Sequence, residues 1–362
     1  MQISTPSIAQ SNLPILIVGQ GLAGTILAYQ LLQAGQKVVV IDAQYPSSSA
    51  VAAGIFNPVT GKRLVKTWLA DELFPYLFSF YHQLEQVFGV KLLHKSPIYR
   101  PFLNIEQQNF QTAHSADIPE YLTSDFNHTL FEPFVNNQLG GILTLSAGWV
   151  DVKKMLDCAK IYFESKGILS SKIFDFEQII IKDNIVFYKD CAYQKIIFCE
   201  GAYVSQNPYF SSLPFRTVHG ELLIVKIENL PAFGFDYQIN QGIFIIPLGN
   251  HLYKVGATYN WKKTTWQTTQ EGKEQLIDKL KQILKVDFEV MDHLVGIRPA
   301  TQERRPLIGL HPEHQTLGIF NGFGSKGVAL VPYFAKQFVN FLLKDQQLDP
   351  LVNINKYFSL TC

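Results

Sequence analysis

The sequence predicts an α/β and α+β chain: a discontinuous, Rossmann-like domain on a parallel βαβ sheet, joined to a second domain on a mixed or antiparallel β-sheet. Three observations predict it. The chain opens with an apolar run at residues 13–18, the glycines Gly19, Gly21 and Gly24, and an apolar helical pattern closed by Gly35. A β-rich run at residues 37–41 follows and ends at Asp42. Strand, turn, helix and strand in that order form a parallel pair, because the crossover helix carries the chain back to the end of the sheet where it began. Between Leu222 and Thr258, short runs at residues 222–225, 243–246 and 253–255 alternate with Gly, Pro and Asn, the punctuation of an antiparallel sheet. Finally, 362 residues exceed what one core usually requires, so two domains are expected, with one large interwoven unit as the other reading.

The remaining elements follow in order. Residues 67–88 read as a long helix. Residues 91–145 turn polar and aromatic, with scattered Asn, Gln and Pro and no clear helical period. Residues 151–166 read as an amphipathic helix, and residues 196–199 as a buried strand stopped by Gly201. Beyond the antiparallel runs come a helix at 271–284 and a closing helix at 331–343, the latter after a glycine-rich loop. The first domain is therefore expected at residues 1–90, 145–208 and 290–362, and the second at 91–144 and 209–289. No internal repeat interrupts this pattern.

Composition narrows the function classes. Hydrophobic residues are 47% of the chain and charged residues 17%, which describes a packed globular protein and not a disordered one. Lys plus Arg number 31 against 30 for Asp plus Glu, so no strong field attracts nucleic acid or an anionic membrane. Cys158, Cys191, Cys199 and Cys362 form no C-x-x-C pair. That spacing argues against a zinc site or a disulfide framework and fits a reducing compartment. The uncharged stretch before Lys37 lacks a basic leader, and Gln20, Thr25, Gln30 and Gln33 interrupt it. It is read as a glycine fingerprint, not as a signal or anchor, and the chain as cytoplasmic without a transmembrane segment. His311 and His314 are separated by Pro312 with no further ligand cluster, so no metal site is expected. His219 is given no catalytic role, since a lone histidine more often satisfies a structural hydrogen bond.

Chemistry concentrates in the opening turn. In Gly19-Gln20-Gly21-Leu22-Ala23-Gly24, Gly19 permits the tight turn, Gly21 lets the backbone approach a pyrophosphate, and Gly24 allows close helix–strand packing. The helix start attracts the phosphate charge. Asp42 lies about 20 residues on, where a carboxylate hydrogen-bonds ribose hydroxyls. These residues indicate an adenine dinucleotide without separating NAD from FAD. Near the far end, Gly322-Phe323-Gly324-Ser325-Lys326-Gly327 precedes a helix that begins near Val328. Its amides suit the oxygens of an isoalloxazine ring and so favour FAD, although an ordinary flexible loop has the same composition.

The opening fingerprint is followed in order by Ser48-Ser49-Ala50-Val51-Ala52-Ala53-Gly54-Ile55, Ile197-Phe198-Cys199-Glu200-Gly201-Ala202, Gly296-Ile297-Arg298-Pro299-Ala300-Thr301, Pro306-Leu307-Ile308-Gly309 and the final glycine loop. In these segments the chain resembles the D-amino acid oxidase, glycine oxidase and sarcosine oxidase superfamily. The resemblance implies FAD held by Gly19, Gly21, Leu22, Ala23, Gly24, Asp42, Ala43, Ser48, Ser49, Gly54, Ile55, Ile173, Gly201, Arg298, Gly324, Ser325, Lys326, Gly327 and Val328. Within that set, Gly54 would lie against the flavin and Ile173 would meet adenine through its backbone. No cysteine occurs between Arg298 and Gly309, where related sarcosine oxidases attach the flavin, so noncovalent binding is implied.

On the substrate side, Arg298 resembles the arginine that grips a substrate carboxylate, a task suited to a bidentate guanidinium; a structural ion pair is the other reading. Tyr259 is a weaker candidate. Arg63 and Lys66 resemble basic residues near the flavin, serving an acidic substrate or the reduction of oxygen, or else they mark a solvated helix start. The implied reaction oxidises the carbon–nitrogen bond of a small amine or amino acid to an imine, with oxygen giving hydrogen peroxide. Two alternatives stand beside it. The loop Gly324-Ser325-Lys326-Gly327 also resembles the flavin domain of tRNA wobble-uridine modification enzymes, and a flavin can be bound without turnover in a redox protein.

Overall fold

In the computed structural model, which describes residues 12–228 and 237–358, the opening run forms the strand Ile15–Val18 with all four residues buried. Burial on both faces explains why it is continuously apolar and not alternating. It is one of six strands ordered Leu169–Ser171, Val38–Asp42, Ile15–Val18, Lys195–Phe198, Leu317–Asn321 and Leu307–Leu310. Neighbours are parallel except the last pair, which is antiparallel. Leu16, Val18, Ile196 and Phe198 are buried with Tyr188, Val204 and Phe210, each large apolar side chain contributing about 1.5–3 kcal/mol.

The helix Leu22–Gln33 returns the chain between the first two strands and ends at Gly35, whose φ is +80°. The closing helix is Gly327–Lys344, starting beside Val328, where the glycine loop places a helix start, and a turn before the 331–343 span read from the apolar pattern. Pro332 lies inside it and lacks the amide that continues a helix, which obscures the true start in the sequence. Its carbonyl accepts a 2.8 Å hydrogen bond from Gln30 Nε2, joining the two helices.

Two units are distinguished. One comprises Met1–Ala50, Lys153–Thr217 and Arg298–Cys362, and the other Val51–Val152 and Val218–Ile297. The second contains an eight-stranded sheet ordered Glu289–Arg298, Val218–Lys226, Leu252–Gly256, Phe244–Gly249, Gln238–Asn240, Ile98–Pro101, Gly141–Thr144 and Leu122–Thr123. Gln238–Asn240 and Ile98–Pro101 pair in parallel, whereas the three runs read from residues 222–258 pair antiparallel; the sheet is mixed. The helix Gln270–Ile283 packs Leu276, Leu280 and Ile283 into its core. Buried Glu221 accepts 2.8 Å hydrogen bonds from Thr269 N and Oγ1, which holds the capped start of that helix to the sheet.

Three differences from the sequence reading have physical causes. Residues 51–90 group with the second unit and not the first. Ile55–Phe56 pairs with Gly148–Val150, and Phe56 meets Phe74 and Phe78 of the helix Ala70–Phe88 edge to face. The polar stretch after residue 91 contains the helix Ile105–Ser115, defined by its caps. Asn104 accepts from Gln107 N, and Gln107 Oε1 accepts from Leu103 N, the amide before the cap, both at 2.8 Å; such side-chain capping needs no apolar stripe. The segment carrying Arg63 and Lys66 is a hairpin, Val59–Thr60 with Val65–Lys66, and not a helix start.

Among the described residues no helix is long and apolar enough to cross a membrane. Cys158, Cys191 and Cys199 are free thiols, and Cys362 lies outside the described residues.

The first unit's tightest point is testable. A Cβ on Gly24 would stand 1.8 Å from the Gly19 carbonyl oxygen, whereas one on Gly35 would meet nothing within 4 Å. Urea unfolding of Gly24→Ala is expected to show a loss of about 3 kcal/mol or more from overpacking. Gly35→Ala should lose about 1 kcal/mol, from its left-handed backbone alone. Equal losses would contradict the close approach.

Candidate functional site

The parallel strands of the first unit end along one edge of the sheet, so the segments after Val18, Asp42, Ser171, Phe198 and Asn321 gather there. The chain runs from Ile15–Val18 to Val38–Asp42 on one side, while Lys195–Phe198 lies on the other. A crevice opens where strand order reverses in this way, and open α/β sheets bind ligands at such a point.

The glycine turn lines this edge. Gly19 has φ +102°, and a Cβ there would lie 2.6 Å from the Cys199 carbonyl oxygen. Asp42 accepts hydrogen bonds from Gln20 N through Oδ1 and from Gln44 N through Oδ2, each at 3.1 Å. The carboxylate thus ties the turn to the end of the next strand, and each oxygen keeps a second lone pair for a hydroxyl donor. Ser49 Oγ accepts from Leu22 N at 3.0 Å, beside Gly21, whose Cβ would come within 3.2 Å of it. Thr25 N is already bonded to Gly21 O, but the amides of Ala23 and Gly24 have no acceptor within the helix by position. The first turn carries no acidic residue, so the helix dipole is left to favour an anion.

A second helix start stands at the same edge. Gly322 and Gly324 have φ +84° and +55°, and Lys326 precedes Gly327–Lys344 with no side-chain cap and no acid in the first turn. Gly324 N donates to Pro299 O at 3.1 Å, and Asn321 Nδ2 donates to Gly201 O at 2.9 Å. These bonds gather Gly201, the glycine loop and the strand end carrying half-buried Arg298. Burial, then Arg305 and Arg304, holds the Lys326 ammonium below the usual lysine range. A Cβ on Gly327 would come 2.8 Å from Leu22 Cδ2, so the two helix starts are packed together.

Ile173 follows Leu169–Ser171, whose Ser171 pairs with Asp42, and its side chain is 62% exposed. Ala43 and Ser48 lie partly buried after Asp42. Gly19 through Gly24, Asp42, Ala43, Ser48, Ser49, Ile173, Gly201, Arg298 and Gly324 through Val328 thus all belong to the first unit. Gly54, Ile55, Arg63, Lys66 and Tyr259 belong to the second. Gly54 has its own packing reason, since a Cβ there would lie 1.9 Å from Val150 O. Lys66 is paired with Asp71 at 2.7 Å, and that hydrogen bond raises its ammonium above the usual range. Arg63 is exposed, and Tyr259, 53% exposed, meets Trp261 edge to face.

The histidines have structural partners. His219 is buried and its Nε2 lies 3.1 Å from Gln267 O. His311, Glu313 and His314 place one ligand atom each within 4.8 Å of one another. His311 Nδ1 accepts from the amides of Glu313 and His314, which ties that ring to the turn.

One feature of the edge escaped the sequence reading. Glu200 is half-buried beside the glycine turn, and burial pushes its carboxyl up to about 8 against an opposing hydrogen bond from Asn207. Its signal was an acid placed directly after an apolar strand, in a position otherwise suited to phosphate.

The family described as FAD dependent oxidoreductase matches residues 14–340. The structure of glycine oxidase from Bacillus cereus ATCC 14579 is similar with a TM-score of 0.76 at 20% identity, over 92% of this chain and 96% of that one. Iminodiacetate oxidase from Chelativorans sp. BNC1 gives a TM-score of 0.77 at 19% identity, over 95% and 98%. At such identities the likeness shows a common fold. The tRNA 5-methylaminomethyl-2-thiouridine biosynthesis bifunctional protein MnmC of Campylobacter jejuni subsp. doylei is 21% identical over 82% of this chain, which spans 46% of that protein.

Because Asp42 holds one amide of the glycine turn, Gln20 N, and one of its own strand end, Gln44 N, Asp42→Ala is expected to destabilise the cofactor-free chain by about 1.5–3 kcal/mol as well as to weaken dinucleotide retention. Thermal unfolding of the stripped protein measures the first effect and dilution of the loaded protein the second. An unchanged unfolding transition would deny the turn-holding role.

Proposed function

The chain belongs to the FAD-dependent oxidoreductase family, and from that membership we propose that it oxidises the carbon–nitrogen bond of a small amine or amino acid, of glycine, sarcosine or D-amino acid type, to an imine. Oxygen is the proposed acceptor, leaving as hydrogen peroxide. The observation that carries the reading is the convergence, along one sheet edge, of the glycine turn, Asp42 and two acid-free helix starts. That donor set suits a dinucleotide with a pyrophosphate at its centre.

Bound FAD supplies a two-electron acceptor. The chain holds and orients. Asp42 would accept from ribose hydroxyls on its remaining lone pairs, the amides of Ala23 and Gly24 would donate to phosphate oxygens, and the Ser325 and Gly327 amides would serve the flavin end, Gly324 N and Lys326 N being held by Pro299 O and Phe323 O. Binding is noncovalent in this reading. Arg298 is assigned to the substrate carboxylate. Support comes from its place one residue before Pro299, whose carbonyl binds Gly324 N, so the guanidinium's backbone is anchored to the glycine loop. Lys66 is already paired with Asp71 and is assigned no substrate charge; Arg63 and Tyr259 keep secondary roles on exposure alone. An amine entering neutral needs no protein base, so orientation is the chain's main contribution.

Similarity to the MnmC protein supports a second reading, oxidation of a glycine-like group carried on tRNA. The charge balance of 31 to 30 weighs against it. Salt-sensitive tRNA binding would favour it over the small-molecule reading.

Arg298→Leu should leave the protein folded and flavin-loaded while slowing anaerobic flavin reduction by an amino acid roughly 10–150-fold, the loss of a charge-assisted bidentate bond. The matching decarboxylated amine should be affected far less. Equal losses on both substrates would make Arg298 structural, and no loss on either would move the anion site elsewhere.

A further inference from the structure

Glu200 follows the buried strand Lys195–Phe198 and Cys199 at the edge where strand order reverses. A Cβ on Gly19 would lie 3.6 Å from Glu200 Cα, so the acid's backbone adjoins the turn that approaches the pyrophosphate. Its carboxyl accepts a 2.7 Å hydrogen bond at Oε2 from Asn207 Nδ2. Asn207 is fully buried, and its Oδ1 accepts from Tyr209 N, which fixes the amide with its NH2 toward Glu200.

The bordering elements bring little compensating charge. Cys199 on its own strand is buried, with its thiol pushed well up by burial and then by Glu200. Asp42 reaches the glycine turn from the next strand. Asn321 on the other side is neutral and bonds Gly201 O, and Tyr203 donates its hydroxyl to Pro46 O. Lys326, Arg304 and Arg305 belong to the loops around the second helix start. The influences on Glu200 itself are burial first and Asn207 second, with no cation among them.

An ionised carboxylate in a crevice built for phosphates would meet like charge in a poorly solvated place. A carboxylic acid would not, and with Oε2 accepting from Asn207 its proton sits on Oε1, free to donate. We propose that Glu200 works as a neutral acid in the dinucleotide crevice, donating from Oε1 to an oxygen of the cofactor's phosphate-bearing stretch, and that its ionisation loosens the cofactor. The inference rests on the FAD reading. The sign follows from linkage. A folded-state value raised to about 8 keeps the proton through neutral pH, so retention is full below that point and declines as pH rises through it.

The test uses the flavin-loaded protein. FAD dissociation constants are measured by recovery of free-flavin fluorescence between pH 6.5 and 9.5 for wild type and Glu200→Gln, with circular dichroism at each pH. Wild type is expected to bind evenly to about pH 8 and then weaken about tenfold per unit, roughly 30-fold by pH 9.5, with its secondary structure intact. Glu200→Gln, which keeps a neutral donor, should hold FAD with a flat profile. Titration of Lys326 or of the flavin would persist in the variant, so a variant profile parallel to wild type overturns the proposal. So does flavin loss that occurs only with unfolding. A wild type that binds FAD evenly to pH 9.5 overturns it alone, while a chain holding no FAD at any pH overturns the FAD reading with it.

Discussion

The contact on which the first unit depends is between Gly24 and the Gly19 carbonyl, where a Cβ would stand 1.8 Å from the oxygen. No side chain fits, so the helix starts directly against the strand it leaves. That closeness brings the amides of Ala23 and Gly24 to the sheet edge. The same crowding recurs at Gly19 against Cys199 O, which sets the neighbouring strand end, and therefore Glu200 and Gly201, beside the turn. Geometry this tight is a backbone property, which is why glycine and not any chemistry-bearing side chain defines the cradle.

Charge is arranged around that backbone frame. Two helix starts without acids supply partial positive charge at the sheet edge, and half-buried Lys326 stands at one of them. Asp42 is the nearby carboxylate expected to bind ligand, and it is fastened by two amides before any ligand arrives. It holds the turn's geometry, and in the proposed reading it takes the ribose as well, so its removal is expected to act on folding and binding alike.

How much of this was legible varied with the origin of each feature. The βαβ opening could be read because strands buried on both faces are continuously apolar and the glycines fall at fixed places. The antiparallel runs at residues 222–258 could be read from their punctuation. The helix Ile105–Ser115 could not, because its caps and not an apolar stripe define it. Residues 51–90 went to the wrong unit because their grouping depends on Phe56 meeting Phe74 and Phe78 and on pairing with a strand near residue 149. At the site, the glycines, Asp42 and the loop before Gly327 stood out by spacing. The pairing of Lys66 with Asp71 and the raised carboxyl of Glu200 did not, since both arise from side chains brought together only by folding.

The central claim is that the glycine-turn edge of the first unit holds FAD. Its most direct measurement is the visible spectrum of the purified protein, followed by acid denaturation and chromatographic identification of what enters the supernatant. The account predicts a yellow protein that releases FAD equimolar with the chain. A colourless protein that FAD does not reconstitute, or one that releases NAD instead, would contradict it.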